Sequence, residues 1–272
     1  GGTATDTALS AGEMQVAGTA AGVAVNSGGT VAVMSGGNVE NMVLNGGTAH
    51  INQGGENTAA IVNAGTEYVA GISRSATLNH NGTQIVQSGG ISTGAVVNYA
   101  ANQQVASGGV SEKAQVNGGT QTVAGTAQST ELMKGQQDIL SGGTSENTYI
   151  TGGIQTIASG AKTINTTADG GTVTLDSGGL MSGKNVLRNA TLTINGSNHI
   201  ADLELENTLL SIAKKPEFST LQIDNLNGSG LISLSSDLSQ NIADKLDVRN
   251  GSGEFGLIIH DYSAEGKPPF VF

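Results

Sequence analysis

Serine, a side chain with a reactive oxygen, recurs at a fixed place in the repeats of this sequence. It stands two residues after an aliphatic residue, in triplets that read Ser-Gly-Gly or close to it. The glycines provide the positive φ angle that a tight corner requires, and serine is a common turn residue. An exposed hydroxyl at such a corner could also accept a sugar. Two interpretations, turn former and surface glycosylation site, therefore stay open for one set of residues: Ser35, Ser88, Ser107, Ser141, Ser159 and Ser177.

Carboxylates, which could serve general acid and base chemistry, do not converge. The following acids fall in different slots of the pattern: Glu40, Glu56, Glu67, Glu112, Glu131 and Asp138. Enzymes that cleave polysaccharides on a β-helical scaffold need clustered carboxylates, or a basic residue above a cleft. The sequence has no long insertions between its repeats that could build such a cleft. We therefore predict a protein that is not an enzyme and has no catalytic residues.

Metal and cofactor sites are not predicted either. The four histidines, His50, His80, His199 and His260, share no ligand spacing. The GGxGxD repeat of calcium-binding β-rolls does not recur, because the units lack the repeated aspartate. No strand-linked GxGxxG or GxxxxGK[ST] loop is available to hold a phosphate. The sequence therefore predicts no metal and no cofactor.

Composition narrows the class of protein that positions these side chains. Of 272 residues, 37% are hydrophobic, 3% are aromatic and 42 are glycine, while proline occurs 3 times and cysteine not at all. A single wide core is disfavoured, and so is simple disorder, which is usually rich in charge and proline. A net charge of −11 argues against electrostatic binding to nucleic acid. No stretch approaches the roughly 18 apolar residues of a membrane span.

An internal repeat is the strongest signal in the chain. Aligned on the residue that follows an Asn-ending step, the units begin at intervals of 16 to 19 residues, from Gly12 to Gly171 and then near Asn189. The fourth residue after each of the first ten anchors is aliphatic: Val16, Val33, Ile51, Val69, Val86, Val105, Val123, Ile139, Ile157 and Leu175. A second aliphatic file is Val25, Leu44, Val62, Leu78, Val97, Val116, Leu132 and Ile150. The residue two positions earlier is usually small, as in Ala60 and Thr130, so both share one face of a strand.

A repeat of this length predicts an all-β right-handed parallel β-helix of about 18 residues per rung. The unit is too short for a helical hairpin and carries Gly-Gly pairs where a helix interior would lie. Two or three short strands per rung would stack on the next rung at about 4.8 Å, so that equivalent side chains pile into files. Each rung needs a neighbour to bury its apolar face.

Two amide files accompany the aliphatic ones. Asparagine ends the strand in six consecutive units: Asn26, Asn45, Asn63, Asn79, Asn98 and Asn117. We expect amide ladders there, at bends where asparagine tolerates left-handed backbone. Glutamine recurs as Gln84, Gln103, Gln121, Gln137 and Gln155. This second file could be an outward stripe used between molecules or a ladder within the chain, and we favour the ladder. The Asn-Gly sequences at Asn81, Asn195 and Asn227 predict turns.

The pattern loosens near residue 190, which divides the chain into two expected regions. Residues 1–190 form the regular repeats, and residues 191–272 form less regular rungs that lead into a cap. The second region is more aliphatic, with Leu203, Leu205, Leu221, Ile223 and Leu231 in strand-like alternation. The start at Gly1 without methionine suggests a processed or cut fragment.

These units resemble a known family. The segments GGTQTVAGT (118–126), GTQIVQSGG (82–90) and GGIQTIASG (152–160) are similar to the passenger repeats of self-associating autotransporter adhesins, the group that contains AIDA, antigen 43 and TibA. The regular Ser-Gly-Gly corners favour the TibA kind of member. The segments TLTING, NGSGLISL, ADKLDV and GSGEFGLII are similar to the start of a pertactin-type autochaperone region. The resemblance covers nearly the whole chain.

The resemblance implies function, partners and location. It implies a bacterial surface adhesin that is carried through the outer membrane by its own C-terminal β-barrel, mediates adhesion to host receptors or glycans, and forms aggregates and biofilm with copies on other cells. Members of this kind are O-glycosylated with heptose by a cytoplasmic heptosyltransferase, and we carry this modification over to the six corner serines. The Gly-Thr corners are an equally regular alternative: Thr30, Thr48, Thr66, Thr83, Thr120 and Thr172.

A second class of function is a lattice-binding, ice-binding-like or polysaccharide-binding solenoid without sugar. An ice binder needs an outward Thr-x-Thr in every rung. Only Thr120/Thr122 and Thr172/Thr174 approach this pattern, and measurement of freezing-point hysteresis would separate it from an adhesin.

Overall fold

The chain is a parallel β-solenoid. The computed structural model describes residues 2–213 and 217–263, and within these ranges every regular element is a β-strand. The chain makes about 13 turns of about 18 residues each, with less regular strands toward the C-terminus. Each turn stacks on the previous one through parallel backbone pairing, so the expected all-β solenoid is confirmed.

Each turn has three faces, which we number by their strands. Face 1 consists of β3 (Gly12–Val16), β6 (Gly29–Val33), β9 (Thr48–Ile51), β12 (Thr66–Val69), β15 (Thr83–Val86), β18 (Asn102–Val105), β25 (Ile154–Ile157), β28 (Thr172–Asp176) and β30 (Thr191–Asn195). Face 2 consists of β1 (Thr3–Thr5), β4 (Thr19–Ala21), β7 (Asn38–Glu40), β10 (Glu56–Thr58), β13 (Ile72–Arg74), β16 (Ile91–Thr93), β19 (Val110–Glu112), β21 (Thr126–Gln128), β23 (Thr144–Glu146) and β26 (Lys162–Ile164). Face 3 consists of β2 (Ala8–Leu9), β5 (Ala24–Asn26), β8 (Val43–Asn45), β11 (Ile61–Asn63), β14 (Thr77–Asn79), β17 (Val96–Asn98), β24 (Tyr149–Ile150) and β27 (Thr167–Asp169).

Longer strands bend through the corners between faces. Strands β20 (Gln115–Val123) and β22 (Glu131–Ile139) run from face 3 into face 1, and β29 (Leu180–Arg188) runs from face 2 into face 3. Strands β31 (Asn198–Ile212), β32 (Thr220–Asp237) and β34 (Lys245–Asp261) pass through all three faces. Strand β33 (Ile242–Ala243) pairs antiparallel with the end of β32. We call the bend from face 1 to face 2 corner 1, from face 2 to face 3 corner 2, and from face 3 to face 1 corner 3.

The first aliphatic file lies inside face 1. Val86 pairs in register with Val105, and Val105 with Val123. All three are buried and pack in one cluster with Ala127. The same register joins every neighbour in the file from Val16 to Leu175. The next unit is shifted by one residue from the expectation: Thr172 pairs with Thr191, so its anchor is Ala190 and not Asn189.

The second aliphatic file lies inside face 3, and the small residues before it are buried beside it. Val62, for example, pairs with Leu44 and Leu78, and all three are fully buried. Ala60 and Thr130 are also buried, which confirms that this slot points inward. The two files together make the narrow aliphatic core.

The asparagine file forms an amide ladder on the outside of face 3. The Nδ2 of Asn63 donates to Oδ1 of Asn45 at 3.3 Å, that of Asn79 to Asn63 at 3.0 Å, and that of Asn98 to Asn79 at 2.9 Å. The expected left-handed backbone is not at these residues but one or two positions later, as at Ala64 (φ +52°). The ladder asparagines therefore keep strand backbone, and corner 3 begins after them.

The C-terminal rungs keep the same three faces with fewer breaks. Leu203, Leu205, Leu221 and Ile223 are buried as the alternation predicts. Leu231 is 48% exposed, because it pairs with the outward Leu209. Nothing tests the predicted division at residues 190 and 191, and part of the second region, residues 214–216 and 264–272, lies outside the described residues.

Candidate functional site: the serine corner and the outer faces

The six candidate serines all lie on corner 1 and are all exposed. Each precedes a glycine with positive φ, between +74° at Gly160 and +82° at Gly142. Two successive corners are joined by backbone hydrogen bonds, such as Gly36 N to Gly54 O at 2.8 Å. The serines therefore stand on a rigid outer edge, where their hydroxyls are reachable from solvent.

Glycine in the next rung makes room for five of the six serines, all but Ser107, which precedes a short corner. A Cβ placed on Gly54 would stand 2.6 Å from Oγ of Ser35, and one on Gly160 would stand 2.6 Å from Oγ of Ser141. Real Cβ atoms do not approach this closely, so a side chain at these glycines would displace the serine. The Ser-Gly pair thus interlocks from one rung to the next.

The rungs without serine are explained by corner length. From the inward residue of face 1 to that of face 2, corner 1 takes six positions in the serine rungs, as from Val86 to Ser92. It takes only four in the rungs that carry Ala17, Ala70 and Ala124, as from Val69 to Ser73. Among the long corners before residue 190, Gln53 alone replaces the serine. Sequence reasoning missed this link, although the shorter spacing between inward residues was its signal.

The alternative threonines lie on a different surface. Thr30, Thr48, Thr66 and Thr83 pair in register on face 1 and point outward, but each is only partly exposed. Thr120 and Thr172 occupy the same slot further along, and they too are partly exposed. The structure thus separates the two sets of hydroxyls, serines at a corner and threonines on a flat sheet.

Thr-x-Thr pairs do not form a continuous array on face 1. Thr172 and Thr174 stack on Thr191 and Thr193. Thr120 and Thr122 stack instead on Gln136 and Asp138 in the following rung. A lattice-binding surface would therefore be confined to one pair of neighbouring rungs in this region.

The glutamine file is inside the solenoid, which confirms the ladder within the chain. All five glutamines are fully buried. The Nε2 of Gln103 donates to Oε1 of Gln84 at 2.8 Å, and that of Gln121 to Gln103 at 2.7 Å. The same bond continues to Gln137 and Gln155. Hydroxyls from the other two faces complete the network, as when Ser92 Oγ donates to Gln84 Oε1 at 2.8 Å.

Glu67 corrects one interpretation made from the sequence. We placed it among scattered acids, but it occupies the glutamine slot and is fully buried. Gln84 Nε2 donates to its Oε2 at 2.7 Å and Asn57 Nδ2 to its Oε1 at 2.7 Å, and Ser73 Oγ lies 3.1 Å from Oε2. Burial raises the pKa of Glu67, although these three donors act to lower it. Its position two residues after the anchor Gly65 was the signal for this role.

The remaining acids and histidines are dispersed. In the described ranges no three acidic, histidine or cysteine side chains come close enough to hold a metal ion. Glu56 forms an ion pair with Arg74, and His199 Nε2 lies 3.0 Å from Asp224 Oδ2. The rings of His50 and Tyr68 stack with their centroids 4.9 Å apart, and those of His80 and Tyr99 are 5.9 Å apart. No helix in the described part of the chain is long and apolar enough to span a membrane.

Two matches relate this solenoid to known proteins. Residues 200–268 match the family model described as Pertactin. A crystal structure of a hyper-glycosylated TibA fragment, glycosylated by TibC, superposes with a TM-score of 0.67 and 23% identity over 96% of this chain and 98% of that one. This chain is similar to autotransporter passenger domains. The predicted resemblance is thereby confirmed, in fold over nearly the whole chain and in a pertactin-like sequence over residues 200–268. A search of curated proteins finds no match.

Proposed function

We propose that this chain is the passenger domain of a bacterial autotransporter adhesin and that it is not an enzyme. The observation that carries the proposal is the solenoid itself, with the fold of the TibA fragment and a pertactin-like C-terminal part. Adhesion would act through many weak contacts along the rod, so that avidity replaces the affinity of a single site. The partners would be host-cell receptors or glycans and copies of the chain on other cells, which gives autoaggregation and biofilm. The location would be the cell surface, reached through the barrel that follows the passenger.

The test is surface display of the chain on a non-adherent bacterium. Displayed chain should increase both the settling of cells and their retention on host-cell monolayers, relative to cells that display only the barrel. Surface exposure of the passenger is checked by antibody labelling of intact cells. Equal settling and equal retention at equal surface exposure would refute the adhesin function.

We further propose that the six corner serines carry O-linked heptose. Three observations support this proposal. The serines are exposed on a rigid edge, and they recur at each long corner but one before residue 190. The similar TibA fragment is glycosylated by TibC. The modifying partner would be a heptosyltransferase of that kind.

Intact mass spectrometry tests this modification site. Chain co-expressed with TibC should gain the mass of several heptoses over chain expressed alone. Replacing all six serines with alanine should abolish most of the gain, whereas replacing the six face 1 threonines with valine should leave it unchanged. A gain that follows the threonines would assign the sugar to face 1, and no gain at all would exclude this modification.

A further inference from the structure

Corner 3 carries a local surface that the repeat does not require. The length of this corner can be measured as the sequence separation between the last inward residue of face 3 and the first inward residue of face 1. This separation is six residues from Leu78 to Gln84 and again from Val97 to Gln103. The corners on either side take five, as from Val62 to Glu67. The step from Val25 to Val31 is equally long, but only these two lengthened corners are neighbours, and each has an aromatic side chain at its tip, His80 and Tyr99.

Tyr99 is an aromatic ring presented to solvent. It is 70% exposed, more than any other large hydrophobic side chain in the described ranges. The ring borders Gly118 of the next rung, where an added Cβ would stand 3.6 Å from Cδ2 of Tyr99. His80 lies on the other side, tilted by 55°. Burial of the apolar area of an exposed ring is strongly favourable, so a ligand gains by covering it.

The backbone holds these two tips in place. Asn81 N donates to Ala100 O at 3.0 Å, which joins one lengthened corner to the other, and Ala101 N donates to Asn98 O at 2.9 Å. Asn81 and Ala100 have the left-handed backbone that closes each turn (φ +57° and +59°). A backbone held in this way loses little conformational entropy when a ligand binds.

The asparagine ladder ends beside Tyr99. Asn98 donates to Asn79, but in the described part of the chain no side chain donates to Asn98 Oδ1. The register shifts at this point, because Asn98 pairs with both Asn117 and Gly118. Asn117, which the sequence placed in the same file, is exposed. An amide acceptor and a second amide therefore flank the exposed ring, and both are available to a ligand.

Charge is scarce around this surface. The outward residues of face 3 next to the ladder are Ile61, Thr77, Val96 and Gln115, all uncharged. The next rung carries one charge of each sign: Lys134 pairs with Asn117, and Glu131 accepts a hydrogen bond from Gln115 at 3.3 Å. An uncharged ring edged by amides suits a ligand with an apolar C–H face and hydroxyls around its rim, which describes a neutral pyranose sugar.

We propose that Tyr99, Asn98 and Asn117, with His80 beside them, form a binding site for a neutral glycan. The Tyr99 ring stacks on the C–H face of one sugar, and the two amides hydrogen-bond its hydroxyls. This inference rests on the proposed adhesin function and names the chemistry of one receptor. The affinity of a single site is expected near about 1 mM, a value that many copies on a cell raise by avidity.

Saturation-transfer NMR on the purified chain tests the site. The probes are oligosaccharides of galactose, of mannose and of N-acetylglucosamine, with 3′-sialyllactose as the charged comparison. At least one neutral probe should receive saturation, with the strongest effect on protons of one sugar face. Tyr99→Ala should weaken binding by about tenfold, whereas Tyr99→Phe should keep it within about threefold because the ring remains.

Tyr149→Ala is the matched control. Tyr149 is also an exposed tyrosine on the outside of face 3, but it pairs with Glu131 and Thr167 and not with the amide ladder. Its removal should leave binding unchanged. Circular dichroism verifies that both alanine variants are folded.

Three outcomes would overturn the site: no neutral probe binds, only 3′-sialyllactose binds, or both alanine variants weaken binding equally. These outcomes would not refute the proposed adhesin function, because that function is tested separately by the settling and retention of cells.

Discussion

One interior file of face 1, formed by the second residue after each anchor, is polar in one part of the solenoid and aliphatic in another. From Glu67 to Gln155 it is a polar ladder, and from Val173 through Leu192 to Leu210 it is aliphatic. The backbone register does not change between them. A buried amide is tolerated where its neighbours above and below are amides too, because each then satisfies the other. Repetition therefore allows a narrow core to be polar, and a single break in the repetition should be costly.

The largest effect is expected where an amide enters the aliphatic part. Leu192→Gln puts the side chain between Val173 and Leu210, which offer no partner. The lost apolar burial and the unpaired amide should together lower the free energy of unfolding by about 4 kcal/mol. Thermal melting followed by circular dichroism measures this change. Leu192→Met is the control of similar volume, and equal destabilisation by both variants would show that the polar group is not the cause.

The reverse exchange should cost slightly less. Gln121→Leu removes the acceptor of the Gln137 Nε2 and the donor to Gln103 Oε1, in a slot of similar size. Gln103 Oε1 keeps the bond from Ser111 Oγ, but Gln137 Nε2 loses its acceptor. Thr130 Oγ1 loses the same acceptor, and leaving these two buried donors unpaired should cost about 3 kcal/mol. Urea denaturation measures the loss. The double variant Gln121→Leu with Gln137→Leu should cost less than the sum of the two single variants, because the stranded Gln137 amide is then gone. Strict additivity would argue against a cooperative ladder.

Glu67→Gln should extend the ladder and stabilise the chain at neutral pH. Oε1 of the new amide would accept from Gln84, and its Nε2 would donate to Asn57 Oδ1, which has no partner within the described residues, after the Asn57 amide flips. Burial raises the folded-state pKa of Glu67 above its ordinary value of 4.5. The folded state then binds this proton more tightly than the unfolded state, so the contribution to stability is full below the ordinary value and is lost as pH rises through the folded pKa. We expect the variant to be more stable by about 1 kcal/mol at neutral pH, the scale of one buried hydrogen bond.

The comparison with the parent chain should be repeated near the ordinary glutamate pKa, where the difference should shrink or vanish. Taking variant and parent together at each pH cancels the titration of the other acids. A difference that is independent of pH would mean that Glu67 does not titrate with folding.

The smallest effect is expected at corner 2. Lys113 has left-handed backbone (φ +54°), and the equivalent residue in the aliphatic part is Gly183 (φ +68°). Lys113→Gly relieves the strain of a side chain in this conformation, which is about 1–2 kcal/mol. The greater freedom of glycine in the unfolded state offsets part of this gain, so the variant should be more stable by about 0.5–1 kcal/mol. Lys162→Gly, at a strand position of face 2, should destabilise instead. Differential scanning calorimetry resolves the two signs.

Much of the fold could be predicted because files of like residues repeat. Val86, Val105 and Val123 are recognisable by spacing alone, and so is the direction in which the glutamines point once they are seen as a file. Glu67 escaped because a glutamate is normally exposed, and only its slot reveals its burial. Corner 2 escaped because no single residue type holds its left-handed position: asparagine and glycine alternate there with Ala59, Ser75 and Lys113. The Tyr99 surface escaped because one added residue in a corner is a small change in spacing.

Together with the Gln53 rung, the short turns at corner 1 divide the six exposed serines into separate groups along the solenoid. Ser35 stands alone, Ser88 and Ser107 form a pair between the rungs of Ala70 and Ala124, and Ser141, Ser159 and Ser177 form a run of three. Substituents attached to these hydroxyls would thus occur in groups of one, two and three along the rod, separated by rungs that have no serine at this corner. A binding partner would contact separate groups along the edge instead of a continuous row. Its affinity would depend on how well the spacing of its own binding sites matches the spacing of these groups.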